Sequence, residues 1–197
     1  MELDFNIFKI EYNKVSPKKG RVLVSEPFLQ DTYFKRSLVL LTEYSEAGAV
    51  GFVLNKPLEV KVNEVVTEFP FSNEHVSIGG PVNTNSIHYL HTLGSLIPNA
   101  VHVIGDIYWG GDFEQLKLLL ETGIASPSQV RFFIGYAGWQ PKQLQKELSE
   151  NSWIVNDINQ LDVFNKEQEE DLWVKLLRNK GGRYKLWTTY PDDPALN

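Results

Sequence analysis

The chain has 197 residues and no cysteine. That excludes a disulfide framework, a thiol nucleophile, a cysteine-based zinc site and an iron–sulfur ligand set. Long apolar runs are also missing. The longest, Leu38 to Leu41, falls far short of a membrane span. The first residues, Met1-Glu2-Leu3-Asp4-Phe5, carry acids where a signal peptide starts basic, which predicts a cytoplasmic protein with no membrane partner. No two glycines have the G-x-G spacing of a dinucleotide fingerprint. There is no G-x-x-x-x-G-K, no H-E-x-x-H, no EF-hand loop and no G-x-S-x-G elbow. Positive charge is scarce in the middle of the chain: residues 61–130 hold seven acids against Lys61 and Lys117. With a formal net charge of -6, that midsection repels phosphate backbones and argues against direct DNA binding.

What is present is a globular composition, 42% hydrophobic and 22% charged, which excludes intrinsic disorder. No Pro/Gly/Ser-rich linker divides it, so residues 1–197 read as one domain. The weakest candidate boundary is the polar stretch 151–165. Apolar β-formers predict strands at Arg21–Ser25, Ser37–Tyr44 and Ala49–Leu54. The last two are joined by the short turn Ser45-Glu46-Ala47-Gly48. Asn55-Lys56-Pro57 is expected to stop the third strand. Further strands are predicted at Val76–Ile78, Ile87–His91, Val101–Ile104, Val130–Tyr136, Trp153–Val155 and Tyr184–Trp187.

Helix signals come later. Asp112 followed by Gln115 makes a capping box that opens a helix from Phe113 to Glu121, closed by Gly123. Pro141 starts a second helix running to Glu150. Asn165 with Gln168 opens a third, ending near Arg178. Val62–Phe69 has one apolar side and reads as a short helix. Hairpin-like strands followed by segregated helices give an α+β class.

No residue set points to a catalytic centre, a metal or a cofactor. His88 and His91 lie three apart on a predicted strand, so they face opposite ways and suit a metal poorly. His102 and Asp106 converge only if Gly105 turns the chain, and these histidines, like His75, read as ordinary buried or surface residues. Glu43, beside apolar strand residues, is expected to pair with Arg36 or to face solvent. A basic stretch, Lys175, Arg178, Lys180, Arg183 and Lys185, contains no acid. It reads as a basic helix end or as a nucleic-acid patch with Tyr184 and Trp187 for stacking.

Several segments together resemble a known family. They are the run from Gly20 to Pro57 (S-E-P-F-L-Q-D-T-Y-F-K-R, then G-A-V-G-F-V-L-N-K-P), Gly79-Gly80-Pro81-Val82, and G-Y-A-G-W-Q-P-K-Q-L from Gly135 to Leu144. The combination is similar to the YqgE/AlgH family over roughly residues 20 to 180. One departure is visible: the family usually carries Glu-His where this chain has Glu43-Tyr44. The resemblance implies a single α+β domain with a strongly bent, largely antiparallel and partly barrel-like sheet, and helices packed around it. Some members are labelled transcriptional regulators through a link to alginate production. The resemblance therefore implies a non-enzymatic regulatory or binding protein that acts through a protein partner or a small ligand. It supplies no catalytic residues.

The motif residues are the candidate ligand or partner contacts. Asp31 suits a turn cap, and Arg36 can fork onto a carboxylate or an anion. Asn55 can bond nearby backbone at the strand exit, beside Lys56. Gly79 and Gly80 offer N–H groups for an anion nest. Trp139 is core or binding rim, and Gln143 can bond backbone. An anion-binding protein or enzyme built on Arg36 and Gly79-Gly80-Pro81 is the alternative reading. Nucleic-acid binding through Lys175–Lys185 is the third.

Overall fold

A computed structural model describes residues 15–66, 69, 74–166 and 171–190. Its strands are β1 Val22–Ser25, β2 Leu38–Ser45, β3 Gly48–Val53, β4 Pro57–Lys61, β5 His75–Ile78, β6 Val82–His91, β7 Val101–Ile104, β8 Ile107–Trp109, β9 Val130–Trp139 and β10 Trp153–Asn156. The helices are α1 Val62–Val65, α2 Phe113–Glu121, α3 Gln143–Ser149, α4 Gln160–Phe164, α5 Leu172–Lys180 and α6 Gly182–Trp187. The strands run in the order β10-β1-β2-β3-β9-β6-β8-β7, with β4 and β5 branching from β9. All pairs are antiparallel except β5 with β9.

The long strand β9 is the hinge of this α+β domain. Its first half pairs with β5 and β6, its second half with β3. Between them Gly135 takes a positive φ of 66°, which turns the strand from one set of partners to the other. A Cβ on Gly135 would meet the Gly80 carbonyl oxygen at 2.5 Å, and one on Gly79 would overlap the Gly135 carbonyl. The Gly-Gly-Pro and Gly-Tyr-Ala-Gly motifs are thus two sides of one close backbone crossing. The sheet stays open: β10 and β7 are its two ends. Lys19 Nζ, ahead of β1, donates to the carbonyl of His102 in β7 at 2.9 Å, which links two distant parts of the sheet without closing a barrel.

Both faces of the sheet are covered, which is why β2 and β9 are apolar almost without alternation. Val22, Val24, Phe52, Leu90 and Phe133 pack with Trp173, Leu177 and Trp187 of α5 and α6. Tyr89 and Phe132 pack with Leu116, Leu119 and Leu120 of α2. Leu23, Val39, Leu41 and Trp139 pack with Leu144 of α3 and Trp153. Neighbouring residues of one strand serve different cores because strand side chains alternate faces.

Several expectations are corrected. The third strand does stop ahead of Asn55-Lys56-Pro57, but Pro57 then opens a further strand, β4, since a first strand residue needs no N–H. The stretch 151–165 is no boundary: it contains β10, which pairs along the whole of β1. Pro141 does not begin α3. Lys142 takes a left-handed conformation, and the helix starts at Gln143. Asn165 directly follows α4, and α5 begins only after Asp171; whether Asn165 opens a helix turns on Gln168 and its neighbours, which lie outside the described residues. Val62–Phe69 shortens to α1. Tyr184–Trp187 belongs to a helix, α6, because packing overrides local preference: Trp187 is 1% exposed in the core shared with Trp173. β4, β8 and α4 were not anticipated.

Candidate functional site

The sequence-derived residues fall in three places. At the first, Asp31 Oδ1 accepts the Tyr33 and Phe34 N–H groups at 2.8 and 3.0 Å, capping the turn after β1. Asn55 accepts the Leu38 N–H and donates to the Arg36 carbonyl, both at 2.8 Å. It thereby holds Arg36, whose φ is 49°, at the start of β2. The Arg36 guanidinium lies 5.2 Å from the centre of the Trp173 ring and donates to the Tyr190 carbonyl. Asp31, Lys35 and Lys56 line one cavity of about 300 Å³. Glu43 is exposed beyond a bulge in β2, so it takes the solvent-facing option.

At the second place, Gly79 and Gly80 are buried against β9. The Gly79 N–H goes to the Ile134 carbonyl and its own carbonyl accepts from Val53. That N–H is spent on the sheet, so the anion nest expected there is corrected to a strand crossing. None of the described contacts brings Arg36 to this turn.

The third place joins Trp139 and Gln143 through Glu147, which the sequence reading overlooked. The indoles of Trp139 and Trp153 both donate to Glu147 Oε2, at 2.8 and 2.7 Å. Gln143 Nε2 donates to Oε1 at 2.9 Å. Phe34 stacks on Trp139 and meets Trp153 edge-on. Trp139 is 5% exposed, so it is core and not rim. Replacing Glu147 by alanine leaves two indole N–H groups without their acceptor. It should cost about 3 kcal/mol and lower Tm by about 6–12 °C, read by thermal unfolding with near-ultraviolet circular dichroism. A cost below about 1 kcal/mol would show that water replaces the carboxylate freely.

The basic stretch divides. Lys175 pairs with Asp162 at 2.6 Å, Arg178 and Lys180 sit in the last turn of α5, and Lys180 lies over the Tyr184 ring. Trp187 is buried and Tyr184 packs edge-on against it. The stacking pair expected for nucleic acid is therefore corrected to a core contact. Arg183 and Lys185 lie on α6.

A fourth place has the geometry of a ligand site. β8 pairs with β6 only through Leu90–Trp109 and His91–Tyr108, and Gly110 N then donates to the Tyr89 carbonyl. β7 and β8 meet at Val101 and Trp109, while β6 runs on without a described partner on that side. The gap is a cavity of about 370 Å³ lined by Ile87, His88, Tyr89, Asn99, Val101, Trp109, Gly110, Gly111 and Phe113. Gly110 and Gly111 have φ of 64° and 105° and lead into α2 through its cap, Asp112. Two β6 side chains hold this loop. Tyr89 donates its hydroxyl to the Gly111 carbonyl at 2.9 Å. His91 accepts the Leu93 N–H on Nδ1, so its Nε2 carries the proton and donates to the Gly110 carbonyl at 3.0 Å.

His88, on the other face of β6, packs against Phe52, Trp109 and Tyr136. Its Nε2 is buried and has no hydrogen-bond partner. The sequence showed the Gly110-Gly111-Asp112 helix start and the histidine, but not that a split in the sheet brings them together.

Burial holds both His88 and His91 below the usual histidine range; for His91 the bond to Gly110 opposes this in part. A histidine whose folded value is depressed contributes stability above its unfolded value near 6.5, and loses it as pH falls through the folded value. Stability should therefore be lower at about pH 5 than at about pH 7.5. Glu26, pushed up by burial against the bond from Phe28, acts with the opposite sign in a window starting at its unfolded value of 4.5. Melting curves of the wild type and His88→Phe check this: the drop should shrink in the variant, and equal Tm at both pH values in the wild type would contradict it.

A family model described as AlgH-like matches residues 22–185. A UPF0301 protein of Cytophaga hutchinsonii is 44% identical over 180 residues, covering 91% of this chain and 98% of that one. One from Bacteroides thetaiotaomicron is 39% identical over 198 residues, covering both chains fully. Among solved structures, AlgH of Pseudomonas aeruginosa aligns with a TM-score of 0.69 at 25% identity, over 90% of this chain and 97% of that one. Protein DIP2367 of Corynebacterium diphtheriae shares the fold, with a TM-score of 0.72 at 24% identity, over 89% of this chain and 94% of that one. Among the described residues no helix is long and apolar enough to cross a membrane. With a matching model across most of its length and relatives near 40% identical end to end, the chain belongs to the AlgH-like family, UPF0301.

Proposed function

We propose that this chain is a non-enzymatic regulatory protein of the cytoplasm that works by binding a small ligand between β6, β8 and α2 and passing its occupancy on to a protein partner. The observation that carries this reading is a mostly apolar cavity of about 370 Å³ walled by Tyr89, Trp109 and Phe113 beside the Gly110-Gly111 loop. Ligand sites are concave, apolar and furnished with a few placed polar groups. The Gly110-Gly111 loop is held in advance by Tyr89 and His91, which lowers the ordering cost of binding. Leu118 on α2 and Ile124 just after it are exposed apolar residues on the element next to the cavity, where a partner has surface to read.

The test is native mass spectrometry of protein purified without refolding, beside Val101→Trp, which places an indole in the cavity mouth from an exposed strand position. A stoichiometric adduct in the wild type and its loss in the variant support the reading. An adduct retained by the variant, or a wild type bare in every preparation, overturns it.

A second reading has its own observation. Lys35 and Lys56 line one cavity, which favours an anion there. Titration with inorganic phosphate followed by amide shifts at residues 28–35 decides it.

A further inference from the structure

We infer that the ligand of the β6–β8–α2 cavity is an uncharged peptide unit, an extended residue with an amide on either side, that pairs with the open edge of β6 and lays an apolar side chain on the cavity wall. This rests on the binding reading above and specifies its chemistry.

The first observation is where the cavity lies. Ile87, His88 and Tyr89 all line it. Consecutive strand residues point to opposite faces, so a space that touches all three runs along the edge of β6 and not over one face. Val101 of β7 and Trp109 of β8 stand across it.

The second is what that edge offers. The backbone groups of successive strand residues turn alternately to the two neighbouring strands. The Thr92 N–H donates to the Gln129 carbonyl on the β9 side, so Leu90 and His88 also bond toward β9. His91, Tyr89 and Ile87 therefore turn their backbone groups toward β8 and the cavity. The Tyr89 carbonyl accepts the Gly110 N–H at 2.9 Å. The bond is not returned, because Gly110, with a φ of 64°, gives its carbonyl to the His91 ring. The described hydrogen bonds reach neither the Tyr89 N–H nor the Ile87 carbonyl on that side. Tyr89 is buried and Ile87 half-buried, and such backbone groups are normally paired. One residue of an extended chain presents its own N–H and C=O in the same direction. It donates to Ile87 and accepts from Tyr89, as the next strand of a parallel ladder does. A hydrocarbon would leave both groups unmet.

The third is charge and lining. No lysine, arginine, aspartate or glutamate lines the cavity. A free amino or carboxylate terminus inside it would have no counter-charge, and an unpaired buried charge is costly. The unit is therefore interior to a chain or blocked at both ends. Trp109, Tyr89 and Phe113 give its side chain flat apolar walls. Gly110 leaves open space where a Cβ would stand. A volume of about 370 Å³ is at the small end of ligand pockets, which suits a single residue with its flanking amides.

The experiment uses the full chain, with the amide signals of Ile87, Tyr89 and Gly110 and the indole signal of Trp109 as readouts. The probes are N-acetyl-phenylalanine amide, free phenylalanine, toluene and a blocked alanine-phenylalanine-alanine peptide. The first should shift all four signals and move the Tyr89 amide downfield, as a new hydrogen bond does. Methylating its phenylalanine nitrogen removes the N–H that meets the Ile87 carbonyl and should weaken binding about tenfold. Methylating its terminal amide instead, whose N–H points to the opposite side, should leave binding unchanged. Free phenylalanine and toluene should bind at least about tenfold more weakly than the blocked residue. A tripeptide that binds more tightly than the single residue supports the class with a protein segment as its source. One that binds no more tightly supports it with a small blocked molecule as its source.

Toluene or free phenylalanine binding as tightly as the blocked residue, or the two methylations having the same effect, overturns the class while leaving the cavity as a binding site. Silence of all four signals toward every probe overturns the class and the cavity reading together.

Discussion

Arg131→Ala should destabilise the protein by about 4 kcal/mol or more, lowering Tm by roughly 8–16 °C for a chain of this size. Arg131 is 2% exposed, near the start of β9. One guanidinium nitrogen donates to the Val163 carbonyl at 2.8 Å. Another donates to the Leu54 carbonyl and reaches Ser77 Oγ at 3.4 Å. The group also lies against the Phe133 ring. One side chain therefore ties α4, the end of β3 and β5 to the central strand. Alanine removes these donors, strands buried carbonyls and leaves a hole the size of an arginine side chain; each loss alone costs about 1–3 kcal/mol or more. Lysine keeps the charge but presents a single ammonium where a planar fork is needed, so Arg131→Lys should fall between wild type and alanine. Urea unfolding of the three proteins is the measurement. An alanine variant within about 1 kcal/mol of wild type would show that water fills the site and that the ties are not needed.

Gly79→Ala should be as damaging for a different reason. Its backbone is ordinary, so conformational strain is not the issue. A Cβ there would overlap the Gly135 carbonyl and come within 2.9 Å of Phe52 Cδ1. The first of these is backbone at the crossing of two strands and cannot rotate away. We expect a loss of about 3 kcal/mol or more, or failure to fold. Gly110→Ala is the informative companion. Gly110 has a positive φ of 64° and nothing near its missing Cβ, so alanine there meets only the left-handed penalty of about 1–2 kcal/mol. Soluble yield and melting of the two variants separate crowding from conformation. A Gly79→Ala protein as stable as Gly110→Ala would mean that the crossing opens easily.

Much of the local structure was legible in order along the chain. Asp112 caps α2 through Gln115, and Asp31 caps its turn, because a short polar side chain reaches N–H groups two or three residues away whatever surrounds it. Leu38–Ser45 and Gly48–Val53 form a hairpin because apolar β-formers flank a short glycine-bearing turn. Asn55 bonds backbone at the strand exit, as its chemistry suggested. Where nearby groups decide, the sequence is readable. Where distant ones do, it misleads: Tyr184–Trp187 has the residues of a strand, yet two glycines with positive φ precede it and the core takes Trp187 on a helix.

The candidate site shows the same division. His88, the Gly110-Gly111-Asp112 helix start, Trp139 and Gln143 all stand out as letters. Their roles depend on strand order, which no spacing encodes. Only the pairing of β6 with β8 over two residues opens the cavity beside His88. Only the packing of α3 under β9 and β10 brings two indoles to one carboxylate of Glu147.

By itself, then, the sequence determined the α+β class, the caps, the hairpin and the family, because these depend on residue type and near-neighbour geometry. The tertiary structure decided that Gly79 is a crossing point and not an anion nest, that Trp187 is core and not a stacking platform, and that the His88 ring packs among Phe52, Trp109 and Tyr136 with its Nε2 unmet. The physical reason is range: capping and turn formation act over a few bonds, whereas burial and a missing hydrogen-bond partner are set by chain segments tens of residues away.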